Sequence, residues 1–285
     1  MAFTRSRGAR IRSNAFAYAN LAPYVFFVLF PFYFMAVTSF KSNAELYNLK
    51  SIPFWIQTGV ITEHYTFLFA KTDFVAWMRN SLLVAVVATS VSLVISILAG
   101  YSLARLRFRG AGSFGTAIFI TYLVPPTLLF LPLSQVVVWL GLADSIMALM
   151  VVYPTFLVPF CTWLLMGYFR TIPREVEECA LVDGATRMQT LWKIVLPMAL
   201  PGIICAALFS FTLCWNEFLY ALTFISQSGN KTAVVGVTSD LIRGDIYFWG
   251  SLMAVALLAS IPIVIVYVLF LDYYVSGLTA GAVKG

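Results

Sequence analysis

Few side chains in this sequence combine a reactive type with a spacing that supports chemistry. Glu217 is the one acidic residue deep inside a long apolar run, beside Asn216 and one turn before Tyr220. A charge held in hydrocarbon costs roughly 2.5–3.5 kcal/mol on insertion scales, so such a residue faces protein or an aqueous cavity. Two readings are open: a polar patch lining a solute pathway, or an interhelical hydrogen bond or ion pair that locks a helix bundle. Intramembrane catalysis would call for paired carboxylates, a metal triad or a nucleophile with its base, and the apolar runs offer no second deep ionisable group. Cys161, Cys205 and Cys214 fall in apolar runs and Cys179 in a polar loop, without a C-x-x-C spacing, and all four read as small buried residues. His64 has no ligand set near it in sequence and reads as a solvated or capping residue. Gly229-Asn230-Lys231-Thr232 lacks the G-x-x-x-x-G-K-[ST] pattern, so any ATP-derived energy must come from a partner.

The elements that would position these residues are membrane spans. Of 285 residues, 61% are hydrophobic and 11% charged, and the mean hydropathy is +0.90. Such values lie far outside the range of soluble domains and describe a polytopic membrane protein. Six apolar runs are long enough to cross, near 15–40, 80–104, 113–140, 145–169, 202–225 and 248–271. The first is too long to be a cleaved signal peptide and is kept as a span. The expected fold is an all-α bundle of six transmembrane helices, with residues 1–14 as a basic N-terminus and 15–285 as one membrane domain. Pro125-Pro126, Pro154, Pro159 and Pro262 are expected to kink their helices, either to shape a cavity or as static packing features.

Positive charge is distributed unequally. The segments 1–14, 105–112, 170–201 and 272–285 carry twelve Lys and Arg in 68 residues; the segments 41–79, 141–144 and 226–247 carry six in 65. By the positive-inside rule both termini and the 170–201 loop are cytoplasmic. Topology accounts for the net charge of +6, which removes the need for a nucleic-acid partner and places the N-terminus at anionic lipid headgroups.

Between the fourth and fifth spans, residues 173–197 read as a polar helix-turn-helix. Pro173 suits a first helical turn, and Glu175, Glu177 and Glu178 favour the positive end of a helix dipole. Gly184 marks a left-handed stop. Thr186 and Gln189 have capping-box spacing, Met188, Leu191, Trp192 and Val195 make one apolar face, and Leu196-Pro197 is expected to end the second helix. An apolar stripe on an aqueous hairpin is suited to a groove on another protein. The three glutamates would be repelled by anionic lipid and attracted by a basic rim, which favours protein docking over lying on the membrane.

Glu178-Cys179-Ala180, three residues, Gly184, nine residues, Ile194, one residue and Leu196-Pro197 resemble the EAA signature of binding-protein-dependent ABC importer permeases, with Cys179 in place of alanine. Trp215-Asn216-Glu217-Phe218-Leu219 and the terminal Gly277–Gly285 stretch resemble the maltose-transporter-like carbohydrate branch of that family. The resemblance covers essentially the whole chain. It implies a bacterial inner-membrane permease subunit that forms half of a pore with a second, similar permease. It also implies a cytoplasmic ATPase dimer that binds ATP and Mg, the chain itself holding no cofactor, and an extracytoplasmic solute-binding protein that delivers a sugar. Glu178, Cys179, Ala180, Asp183, Gly184, Ala185, Ile194, Leu196 and Pro197 are then the coupling residues, and the Gly277–Gly285 stretch of the C-terminal tail 272–285 resembles the family tail that reaches toward the ATPase. Tyr122, Trp215, Asn216, Glu217 and Tyr220 are the candidates for the sugar pathway, the rings as stacking platforms and the polar pair as hydrogen-bonding groups. The rival readings are a self-sufficient secondary carrier, expected to show inverted repeats and to need no docking hairpin, and an intramembrane sugar-transferring enzyme.

Overall fold

A computed structural model describes the backbone of residues 7–279 apart from 107 and 245, and the side chains of that range apart from 7–13, 15, 243 and 276–279. Arg5 of the basic N-terminus, Arg107, and the tail residues 280–285, including Lys284, lie outside the described residues. The chain divides into two units, one of Met1–Thr72 with Asp240–Ser260 and the other of Asp73–Ser239 with Ile261–Gly285.

The first unit opens with α1 (Arg7–Ser39), whose apolar residues from Phe16 onward are nearly all exposed along a membrane-length stretch. A loop containing α2 (Asn43–Leu46) leads to α3 (Glu63–Lys71). Buried polar groups pin this loop. The Lys41 ammonium donates to the Ile52 carbonyl at 2.6 Å and pairs with Glu45 at 3.2 Å. Glu45 accepts from the Gln57 and Thr58 backbones, both at 3.0 Å, and from the Thr58 hydroxyl at 2.6 Å. Burial alone would raise the Glu45 carboxyl, but the Thr58 hydroxyl, those two N–H groups and Lys41 outweigh it and hold the carboxyl at about 2. His64 is 5% exposed, so it is not solvated; its Nε2 lies 2.9 Å from the Lys41 carbonyl, and its ring occupies space that only a glycine at 250 leaves open.

The second unit begins with α4 (Phe74–Arg105), the longest of its helices. Ser81, Ala85, Ala88, Ser92, Ser96 and Gly100 recur at three- and four-residue spacing along its buried face. Small residues let helix backbones approach closely where no hydrophobic force separates protein from lipid. A Cβ added to Gly100 would lie 3.2–3.3 Å from Thr162, Leu165 and Met166.

α5 (Ala111–Leu123) and α6 (Pro126–Trp139) together fill the expected third span, but they meet at a 94° bend. Pro125-Pro126 therefore breaks the span rather than kinking it, because two successive residues cannot donate to the helix ladder. α7 (Ile146–Val152) and α8 (Pro154–Phe169) run as one span, with Pro154 tolerated in the first turn of α8.

The 170–201 loop contains α9 (Arg174–Val182) and α10 (Arg187–Thr190), and α10 continues through a π-helical turn, Leu191–Val195, into α11 (Leu196–Trp215). α12 (Leu219–Phe224) and α13 (Ala233–Asp240) follow. The expectation that Leu196-Pro197 ends a helix is overturned. The Leu196 N–H bonds to the Leu191 carbonyl in the wide turn, and the helix then absorbs Pro197 in its first turn and runs on from Arg187 to Trp215. The fifth span correspondingly ends at Trp215 and not near 225.

Two strands of two residues, Ile242–Arg243 (β1) and Ile246–Tyr247 (β2), form an unanticipated antiparallel ribbon before α14 (Trp249–Leu269) and α15 (Leu271–Thr279). Among the described residues, five helices are long and apolar enough to span a membrane, or six if the bent pair counts as one span.

Two apolar clusters fill the second unit. One joins α4, α7, α8 and α11 with α12 around Ala88, Leu149, Tyr153, Phe211 and Tyr220. The other gathers Tyr101, Phe169, Ile172, Leu191 and Val195 under the α9–α10 hairpin.

Candidate functional site

The hairpin is built by local chemistry. Asp183 ends α9, Gly184 enters the left-handed region at φ +88°, and its N–H donates to Leu181 at 3.1 Å while that of Ala185 donates to Ala180 at 3.0 Å. This pair of bonds is the Schellman closure that a left-handed glycine permits. Thr186 and Gln189 cap α10 reciprocally, at 2.8 and 3.2 Å, as their spacing predicts. Pro173 stands at the cap of α9, just before its first turn.

Charge then divides the hairpin into a held side and a free side. Glu175 and Glu178 are exposed, but Glu177 turns inward to an Arg105 Nε–Oε1 distance of 2.8 Å and accepts from the Tyr101 hydroxyl at 3.1 Å. Arg105 also donates to the Ile172 carbonyl at 2.5 Å. The expectation that three glutamates face outward thus holds for two. Tyr101 and Arg105 were not singled out from sequence, because the contact spans 76 residues along the chain for one and 72 for the other (177 − 101 and 177 − 105).

The predicted apolar stripe also splits. Leu191 and Val195 are 2% and 0% exposed and pack on the bundle, while Met188 and Trp192 are 56% and 58% exposed. Val182, which sequence reasoning passed over, is 86% exposed. Of the signature residues, Ala180 is buried, Ala185, Ile194 and Leu196 are half-buried, and Glu178, Cys179, Asp183, Gly184 and Pro197 are exposed. Cys179 is therefore not the small buried residue expected, unlike Cys161, Cys205 and Cys214.

A second polar cluster lies where α11 ends. Glu217 accepts from the Tyr153 hydroxyl at 2.7 Å and from the Tyr220 and Ala221 N–H groups at 2.9 and 3.1 Å. It caps α12 and ties it to the start of α8, which is the locking reading of this residue. Tyr220 donates to the Pro126 carbonyl at 2.8 Å, at the break in the third span. The rings expected to stack on solute are largely occupied within the chain. Trp215 is 4% exposed and stacked on Phe211, and Tyr220 is 1% exposed between Phe156 and Phe224. Tyr122 remains exposed beside Phe160, and Asn216 is exposed with its amide on the Thr212 carbonyl. Tyr153, the hydroxyl partner of Glu217, has no sequence signal that links it to position 217.

Residues 92–279 match the family model described as binding-protein-dependent transport system inner membrane component. Among curated proteins, the chain is 38% identical over 270 residues to the inner membrane ABC transporter permease protein YcjP of Escherichia coli, covering 94% of this chain and 95% of that one. It is 34% identical over 259 residues to the trehalose/maltose transport system permease protein MalG of Thermococcus litoralis, with 90% and 92% covered. It is 33% identical over 269 residues to the diacetylchitobiose uptake system permease protein DasC of Streptomyces coelicolor, with 93% and 96% covered. In fold it is similar to a chain of a bacterial ABC transporter involved in the import of the acidic polysaccharide alginate, with a TM-score of 0.77, 23% identity and coverage of 96% and 100%.

Proposed function

The chain belongs to the family of binding-protein-dependent transport system inner membrane components, and from that premise we propose that it is one of two permease subunits of an ATP-driven carbohydrate importer. Both termini and the hairpin lie in the cytoplasm. A second, similar permease completes the pathway, a dimeric ATPase binds ATP and Mg below it, and a solute-binding protein delivers sugar from outside. The carbohydrate assignment is supported by relatives named for trehalose/maltose and diacetylchitobiose uptake, which this chain matches over nearly its whole length.

The observation that carries the mechanism is the two-sided hairpin. Its inner side is bolted to α4 through Glu177 and to the bundle through Leu191 and Val195. Its outer side offers Val182, Met188 and Trp192, flanked by Glu175 and Glu178, to a groove with an apolar floor and a basic rim. Because α10, the π turn and α11 form one helix, a push at Trp192 is carried along the helix toward Trp215 without crossing a flexible joint. Closure of the ATPases would so rock the permease from inward- to outward-facing, and hydrolysis would reset it. In this mechanism Glu217 holds α12 in place, and Asn216 and Tyr122 are the members of the predicted set left open to a solute.

The test is uptake in proteoliposomes by the chain together with the permease, ATPase and binding protein that copurify with it. Accumulation of a labelled di- or oligosaccharide that needs both ATP and the binding protein is the expected result. Transport by this chain alone, or transport indifferent to ATP, would overturn the proposal.

A further inference from the structure

Four arginines converge at one end of the second unit. Arg105 closes α4, Arg109 precedes α5, Arg170 caps α8 and Arg174 opens α9; together they line a cavity of about 710 Å³. Arg105 is paired with Glu177, whereas among the described residues no carboxylate is paired with Arg109, Arg170 or Arg174. Ala111 and Arg170 are shared with a second cavity of about 360 Å³, which runs between α5 and α8 past Gly112, Gly115, Phe119 and Trp163. Glycine creates that slot: a Cβ at 112 would meet nothing within 4 Å, and one at 115 only the Met166 sulfur at 3.7 Å. α5 has no fully buried residue; Gly115 and Phe119 are half-buried on the side toward α8, and the Phe119 and Trp163 rings meet at 5.6 Å.

A cationic pocket that shares Ala111 and Arg170 with a slot lined mainly by glycines, Phe119, Trp163 and Met166 has the two-part chemistry of an amphiphile. We propose that it binds an anionic phospholipid, with the phosphate held by Arg109, Arg170 and Arg174 and one acyl chain laid between α5 and α8. Guanidinium forks match phosphate oxygens in geometry as well as charge. A free phosphate would use the arginines and leave the slot empty, and a neutral lipid would use the slot and leave the arginines unpaired, so the combination selects the anionic lipid. The site lies on the arginine-rich side, which charge asymmetry assigns to the cytoplasm and where anionic lipid attracts basic segments. Arg174 also begins α9, so the lipid would brace the base of the hairpin.

The test uses the full chain with its copurifying partners, delipidated and titrated with phosphatidylglycerol or phosphatidylcholine, with bound lipid counted by native mass spectrometry. The wild type is expected to retain phosphatidylglycerol preferentially. At roughly a factor of five per arginine, Arg109→Gln with Arg170→Gln should weaken that retention about thirtyfold. Gly112→Leu, which fills the slot and leaves the arginines, should lose phosphatidylglycerol while inorganic phosphate binding is unchanged. Photoactivatable phosphatidylglycerol should label residues 112–119 or 163 in the unmodified chain, a readout that requires no variant to fold. Equal retention of both lipids, or inorganic phosphate competing fully while Gly112→Leu has no effect, would overturn the proposal. Loss of the ATPase from the arginine variant with lipid retention intact would also overturn it, by identifying a protein-docking surface.

Discussion

Replacing Glu177 with Gln keeps the shape of the side chain and removes the charge that faces Arg105. The two side chains are 10% and 4% exposed and 2.8 Å apart. At an effective dielectric of about 20 this separation corresponds to roughly 6 kcal/mol of attraction, part of which offsets the cost of taking both charges out of water. Removing one partner leaves the Arg105 guanidinium buried without its counter-charge, a loss of about 3–5 kcal/mol in comparable cases. The Ile172 carbonyl still accepts from Arg105, so about 3 kcal/mol is the expected figure. That is a factor of about 150 in the equilibrium for local opening of α9. Hydrogen exchange of the Arg174–Val182 amides in the assembled transporter reads this directly, and ATP-driven uptake should fall while ATPase activity persists. Glu178→Gln, at an exposed position one residue on, should leave exchange unchanged. A neutral pair, Arg105→Met with Glu177→Met, should restore most of the protection. Unchanged exchange in Glu177→Gln, or faster exchange in Glu178→Gln, would refute the inward anchoring of α9.

Gly184→Val places a β-branched residue at φ +88°, a strain of about 2 kcal/mol; uptake should be lost while membrane insertion and expression stay normal, as fractionation and transport assays would report. Gly236→Ala sets a methyl 2.2–2.7 Å from the buried Trp77 ring, an overpacking cost of about 1–3 kcal/mol, and should lower the thermal midpoint, whereas Gly112→Ala, in open space, should not. Glu217→Gln puts an amide where three donors converge and orphans at least one of them, so stability should fall by about 1–3 kcal/mol with the preference among sugars unchanged; an altered preference at full stability would instead favour the pathway reading. Because the Glu45 carboxyl is held at about 2 in the folded loop, below its ordinary 4.5, its stabilisation is complete above pH 4.5 and is lost as pH falls toward 2. Protease resistance of the 41–62 loop should therefore decline across that window in the wild type and be low throughout in Glu45→Gln.

What could be read in the sequence was what depends on neighbours along the chain. The Gly184 closure and the Thr186–Gln189 box each need only a few consecutive residues, and the apolar runs need only length. The inward turn of Glu177 depends on Tyr101 and Arg105 at the far end of another helix, and nothing local distinguishes it from Glu178. Pro197 misled because proline ends most helices, yet the π turn before it, with Leu191 and Val195 packed on the bundle, lets the helix continue. Met188 and Trp192 form one i, i+4 row of the stripe and Leu191 and Val195 the next, and only the packing of the second row on the bundle parts them. Pro125-Pro126 announced an irregularity but not a 94° bend, since the Tyr220 hydroxyl that takes up the Pro126 carbonyl comes from 94 residues away. Trp215 is a stacking platform by type, and its packing against Phe211 is not written in the pattern of apolar residues around it.

The most direct measurement places a photo-crosslinking amino acid at Trp192 in native membranes, with a second at the buried Val195 as control, and identifies the adducts. Coupling through the outer side of the hairpin predicts an adduct with an ATPase subunit at Trp192, lost on ATPase depletion, and none at Val195. Adducts at Trp192 confined to lipid, with the ATPase present and active, would contradict it.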